Sequence, residues 1–160
     1  MSPTLTKELR EKSFTLAVDV GNTHTVVGLF DGEQVVEGWR MTTRYITTSD
    51  EAFIRLTGLL MRSEITPQTI THAGLCSVVP DLDRVWSKAI SKMVQFAPQI
   101  VSSENCLNTP IRYDHAASLG SDRICNIIAL KDMGYECAVA LDLGTATTLD
   151  ILKDGGFYGG

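Results

Sequence analysis

Apolar positions near the start of the chain cluster in three short stretches. "FTLAVDV" (14–20), "TVVGLFD" (25–31) and "QVVEGWRM" (34–41) are rich in β-branched and aromatic residues and are separated by short turns, with Asp31-Gly32 as a hairpin signal. They predict three consecutive strands. The period then changes. Phe53, Leu56 and Leu60 recur along one helical face, and Thr48 and Glu51 have the spacing of a capping box at its start. "ITHAGLCSVV" (70–79) is apolar on both faces and predicts a central, parallel strand. Pro80 opens a second helix whose buried stripe is Leu82, Val85, Trp86, Ala89 and Met93. "PQIVSS" predicts a short strand, and "SDRICNIIALKDMG" a third helix closed by Gly134. The order is β-β-β-α-β-α-β-α.

The opening pattern then returns. "AVALDLGTATTLDILK" (138–153) is again an apolar strand, an Asp-x-Gly turn and a second strand. Aligning Asp19 with Asp142 brings Ala17 onto Ala140, Gly21 onto Gly144, Thr25 onto Thr148 and Leu29 onto Leu152. A repeat separated by a whole domain predicts duplication, with two similar domains facing each other. The expected division is a polar N-terminal extension over 1–13, a first domain over 14–134, and the opening strands of a second, truncated domain over 135–160. Those last strands, with "FYGG" as a third, are expected to lack a helix that covers them.

Composition narrows the function. Of the 160 residues, 44% are apolar and 21% charged, and the formal net charge is −5. No basic stripe is present, which disfavours nucleic acid as a partner and leaves small polar ligands. No apolar run approaches the roughly 18 residues that span a bilayer, and "MSPTLTKELREKSF" lacks the apolar segment of a secretory signal, so no membrane association and a cytoplasmic protein are expected. Cys76, Cys106, Cys125 and Cys137 form no CxxC pair and read as thiols in a reducing compartment.

The repeated turn carries the chemistry. A phosphate chain needs backbone N–H donors close to its oxygens, and glycine permits that approach. Hydroxyl and amide side chains add donors. A carboxylate in the same turn repels phosphate unless it holds a cation directly or through water. Asp-x-Gly followed by Asn or Thr therefore reads as half of a metal–nucleotide clamp, with the repeat as the other half. The plainer alternative is a tight turn closed by an Asx hydrogen bond.

Three blocks, "DVGNTHTVVGLF", "YDHAASLGSDRICN" and "LDLGTATTLD", resemble the type III pantothenate kinases of the acetate kinase/sugar kinase/Hsp70/actin superfamily. The resemblance implies an α/β fold of the ribonuclease H-like, actin/Hsp70 type. It implies transfer of the ATP γ-phosphoryl group to pantothenate, giving 4'-phosphopantothenate at the first step of coenzyme A synthesis. By the same resemblance Asp19, Val20, Gly21, Asn22, Thr23, His24, Thr25 and Val26 form the first phosphate loop. Thr145 is the second nucleotide contact, and Asp142 is the ligand of a monovalent cation, potassium, alongside Mg2+ carried by ATP. Tyr113, Gly120, Ser121, Asp122 and Arg123 bind pantothenate, Asp122 is the catalytic base, and the active form is a homodimer. Two departures stand out: the stretch before Gly120 is "HAAS", where the family commonly has a proline and an acid, and Ser121 replaces the usual alanine. The chain stops at "GGFYGG", where the family continues, so a truncated piece with little activity of its own is expected.

The residue types suit phosphoryl transfer, in which positioning and charge stabilisation dominate. Arg123 offers a fixed fork for a carboxylate or a phosphate, and a helix start favours an ionised Asp122. As isolated residues, Asp122 is equally an ordinary helix N-terminal acid, Arg123 a solvated charge and Tyr113 a packing aromatic. His24, His72 and His115 have no metal-ligand company and read as structural. Two other functions share these motifs: a non-catalytic, nucleotide-binding regulatory relative of the accessory transcription factor type, and a kinase of another small alcohol.

Overall fold

The computed structural model describes residues 13–106, 108–113, 115–144 and 146–159. Thr145 and the N-terminal extension up to residue 12 lie outside them. Contacts divide the chain into two compact units, one of residues 1–75 and 79–99, the other of residues 76–78 and 100–160.

In the first unit the strands form where the pattern predicts, as β1 (Phe14–Val20), β2 (His24–Asp31) and β3 (Gln34–Thr42), joined as antiparallel hairpins. Helix α1 (Ser49–Arg62) starts with the capping box: Glu51 N–H donates to Thr48 Oγ1 at 3.2 Å, and the Glu51 carboxylate accepts from Thr48 N–H at 3.0 Å. Hydrogen bonds from the Thr47 and then the Thr48 backbone hold the Glu51 carboxyl below its ordinary range, so the box is complete at neutral pH and weakens as pH falls through that lowered value. Strand β4 (Ile70–Ser77) leads to α2 (Pro80–Val94), with Pro80 at its first position. The short β5 (Gln99–Ile100) completes a five-stranded sheet of order β3-β2-β1-β4-β5, so β4 is an inner strand as expected. Alternate residues of β1 (Phe14, Leu16, Val18, Val20) are buried with Leu56 and Leu60 of α1 and with Trp86 and Ile90 of α2.

In the second unit, α3 (Ser121–Asp132) accompanies an antiparallel sheet of order β6-β7-β8, formed by Cys137–Leu143, Thr147–Lys153 and Gly156–Gly159. Ile124 and Ile127 of α3 are buried with Leu119, Leu152 and Phe157. Two expectations change here. The third helix falls in the second compact unit, which begins its main stretch at residue 100, whereas the sequence pattern groups that helix with the first domain. The final strands therefore do have helical cover on one face. An apolar stripe shows that a helix is covered, but not by which sheet. The other face of β6 leaves Val139, Leu141 and Leu143 exposed.

The repeat is also modified. Val20 pairs with Thr25, but Leu143 pairs with Thr147, so the second turn is one residue shorter. A one-residue change of register gives each later residue of β7 a different cross-strand partner from its counterpart on β2, while Val27 and Leu29 and their counterparts Asp150 and Leu152 are all buried. Leu29 accordingly lies opposite Leu16, whereas Leu152 lies opposite Ala138, the residue aligned with Thr15. The aligned Leu29 and Leu152 are both buried, and what differs between the copies is the residue each one faces.

Candidate functional site

The first candidate loop joins β1 and β2. Gly21 N–H donates to His24 O at 3.0 Å, and a Cβ at Gly21 would lie 2.9 Å from that same oxygen, so this turn needs glycine for close approach. A neighbouring segment braces it. Thr43 Oγ1 donates to Gly21 O at 2.8 Å, and Thr43 N–H donates to Thr23 O at 3.0 Å. Thr25 Oγ1 lies 3.0 Å from Thr43 Oγ1 in a fully buried contact. The Thr25 hydroxyl is thus turned to the protein and not to a ligand, and Val20 is buried in the core. Asp19, Asn22, Thr23, His24 and Val26 are exposed and remain the side chains that can meet a ligand.

The second group lies in the second unit. Gly120 caps α3 with φ −60° and ψ 139°, an ordinary conformation for any residue. A Cβ there would stand 2.5 Å from Asp122 Oδ1, so a larger residue would move that carboxylate. Asp122 Oδ1 accepts from Arg123 N–H at 2.7 Å, which holds the carboxylate in the first turn of α3, where unpaired N–H groups and the helix dipole favour negative charge.

Arg123 is not a solvated charge. Its Nε–H donates to Asp150 Oδ1 at 2.5 Å, one terminal nitrogen donates to Leu149 O at 3.2 Å, and its guanidinium carbon lies 5.4 Å from the Phe157 ring centroid. Tyr113 packs edge-on against the same ring with centroids 5.9 Å apart, and His115 lies edge-on to Tyr113 at 6.2 Å. Phe157 thus gathers Tyr113 and Arg123. Asp142 is exposed at the end of β6, opposite Thr148, beside a turn in which Gly144 N–H donates to Ala146 O at 3.2 Å. Among the described residues no group of three or more His, Cys, Asp or Glu side chains could hold a metal ion.

The Ser121 side chain is engaged by the protein. Its hydroxyl is buried, accepts from Ser77 N–H at 3.0 Å, donates to Ser77 O at 2.5 Å, and accepts from the Cys76 thiol at 3.4 Å. It secures the start of α3 and presents no side-chain donor to a ligand. Ser121→Ala removes its bonds to Ser77 N–H and Ser77 O and is expected to cost about 1–3 kcal/mol of stability with ligand affinity unchanged. Thermal unfolding and ligand titration check this. Weakened binding at unaltered stability would return the hydroxyl to the substrate.

Thr43, Asn126, Asp150 and Phe157 were not singled out in sequence. Asp150 alone left a signal, as an acid inside the strand "TTLDILK".

A 38%-identical type III pantothenate kinase from Desulfosudis oleivorans aligns over 146 residues, 91% of this chain and 57% of that protein. One from Desulfatibacillum aliphaticivorans is 40% identical over the same shares. The chain thus spans little more than half the length of these curated relatives. Among solved structures, a reductive activator for a corrinoid, iron–sulfur protein matches with a TM-score of 0.55 at 13% identity over 89% of this chain and 30% of that one. The ethanolamine utilization protein EutJ from Carboxydothermus hydrogenoformans matches with a TM-score of 0.50 at 12% identity over 90% and 49%. These likenesses concern the fold alone, and it is the expected actin-like, ribonuclease H-like one. The family model for type III pantothenate kinases matches residues 15–160, and the chain belongs to that family.

Proposed function

We propose that this protein phosphorylates pantothenate with ATP, forming 4'-phosphopantothenate and ADP at the entry to coenzyme A synthesis. The observation that carries the reading is the start of α3, where Asp122 is held at the helix N-terminus beside an Arg123 anchored on a buried acid. In this reading Asp122 orients the primary hydroxyl and takes its proton as the oxygen attacks the γ-phosphorus. The bond from that phosphorus to the β,γ-bridging oxygen breaks, and ADP leaves. The Arg123 fork receives the pantothenate carboxylate, and Gly120 and Tyr113 shape the same subsite. Residues 19–26 and Thr145 are assigned to the phosphates, through the exposed Asn22 and Thr23 on the first loop.

Asp142 is assigned to potassium. A carboxylate is a hard donor and suits such an ion, with Mg2+ arriving on ATP. The ion would offset phosphate charge. The reading extends to a cytoplasmic homodimer.

The test is ADP release by the full-length protein with and without pantothenate, in potassium and then sodium buffer. Pantothenate-dependent turnover that rises with potassium is expected, and Asp142→Ala is expected to abolish the difference between the salts. Equal rates in both salts, or an Asp142→Ala variant that still responds to potassium, would remove Asp142 from this role. ATP binding without turnover would point to a regulatory relative, and turnover with other alcohols alone to a different kinase.

A further inference from the structure

Asp150 is fully buried in β7. A carboxylate in such a place is costly unless it is paired and hydrogen-bonded. Asp150 has both compensations. Oδ1 accepts from Arg123 Nε–H at 2.5 Å, and Oδ2 accepts from the Asn126 amide at 3.0 Å. Arg123 and Asn126 are three residues apart on α3 and therefore share one helix face.

The first unit shows that the fold itself does not require an acid here. Asp150 stands opposite Ala140 in the β6–β7 ladder, and the equivalent of Ala140 in the first unit, Ala17, stands opposite Gly28. By cross-strand pairing the first copy has a glycine at this place and by sequence alignment the buried Val27, whereas the second copy has a buried charge. The charge is explained by what it holds. With Nε on Asp150 and one terminal nitrogen on Leu149 O, the planar guanidinium is left a single orientation. Those bonds use two of its five N–H donors, which leaves the others for an anion.

We propose that Asp150 is a positioning residue of the kinase site: it orients Arg123 toward the carboxylate of the alcohol substrate without touching that substrate. This rests on the proposed function, in which the substrate is pantothenate. Asn126 serves the same end by occupying the second carboxylate oxygen, so that Asp150 cannot rotate away from Arg123.

Asp150→Asn keeps the shape but leaves one oxygen for two donors. Asp150→Gly installs the residue of the first unit. In the full-length protein both are expected to raise the KM for pantothenate about tenfold or more, as misplacement of a substrate-orienting group does, with the KM for ATP unchanged. In an Arg123→Ala background the same changes should add little, because coupled residues are non-additive. A second readout needs no substrate: the Arg123 Nε–H resonance should be protected from solvent exchange in the parent and exposed in Asp150→Asn. An unchanged pantothenate KM, or a parallel rise in the KM for ATP, would overturn the proposal. If the parent does not turn over pantothenate, the proposed function fails. Loss of Nε–H protection in Asp150→Asn would then still uphold the anchoring of Arg123, and retained protection would overturn it.

Discussion

Asp122→Asn is expected to lower pantothenate-dependent turnover by about 10²-fold or more, the usual loss for a positioned general base, while ATP binding stays nearly intact. Asparagine has the size of aspartate, and its carbonyl oxygen can still accept the 2.7 Å bond from Arg123 N–H that holds the side chain at the start of α3. The helix and the neighbouring Arg123 are thus preserved, and what disappears is a group able to take a proton. Gly120 supports the same assignment. Its missing Cβ leaves the space the Asp122 carboxylate uses, so the pair is built around that carboxylate. ADP release read beside calorimetric ATP binding separates the two effects. Turnover near that of the parent would remove Asp122 from the role of base, and a parallel loss of ATP binding would make the change a general disruption.

The local elements of this chain are legible because their signals lie within a few residues of each other. Thr48 and Glu51 announce the start of α1, Pro80 that of α2, and the alternating residues of β1 their buried face. What the pattern did not show depends on distant partners. Thr25 reads as a phosphate donor until Thr43, 18 residues on, is seen to take its hydroxyl. Ser121 reads as a substrate contact until Ser77, 44 residues earlier, does the same. The shortened second turn shows in the pairing of Leu143 with Thr147, and it sets Asp150 opposite Ala140 on the face it shares with the buried Leu152. The Asp-x-Gly turns, and Asp122 and Arg123, could be picked out in the sequence as candidates, each by its own short motif. The residues that brace them could not.

Arg123→Ala is expected to destabilise the fold by about 3 kcal/mol or more, because removing one member of a buried pair strands the other's charge. Asp150 is 0% exposed and the Arg123 side chain 19%, so solvent screens this pair little. Without Arg123, the Asn126 amide is the remaining partner with a defined bond to Asp150. The loss should exceed that of Asp150→Asn, which removes the charge together with half of its acceptor capacity. It should also be partly reversed in the double variant Arg123→Ala/Asp150→Asn, which buries no charge. Urea unfolding of the four proteins gives the comparison at constant conditions. An Arg123→Ala protein as stable as the parent would show that Asp150 is not held as a charge. A double variant less stable than Arg123→Ala alone would show that the cost lies in lost packing over Phe157, where the guanidinium sits 5.4 Å from the ring centroid. Recovery of stability without recovery of pantothenate turnover is the expected combination, since the double variant restores the balance of charge in the core and still lacks the guanidinium to which the proposal assigns the substrate's carboxylate.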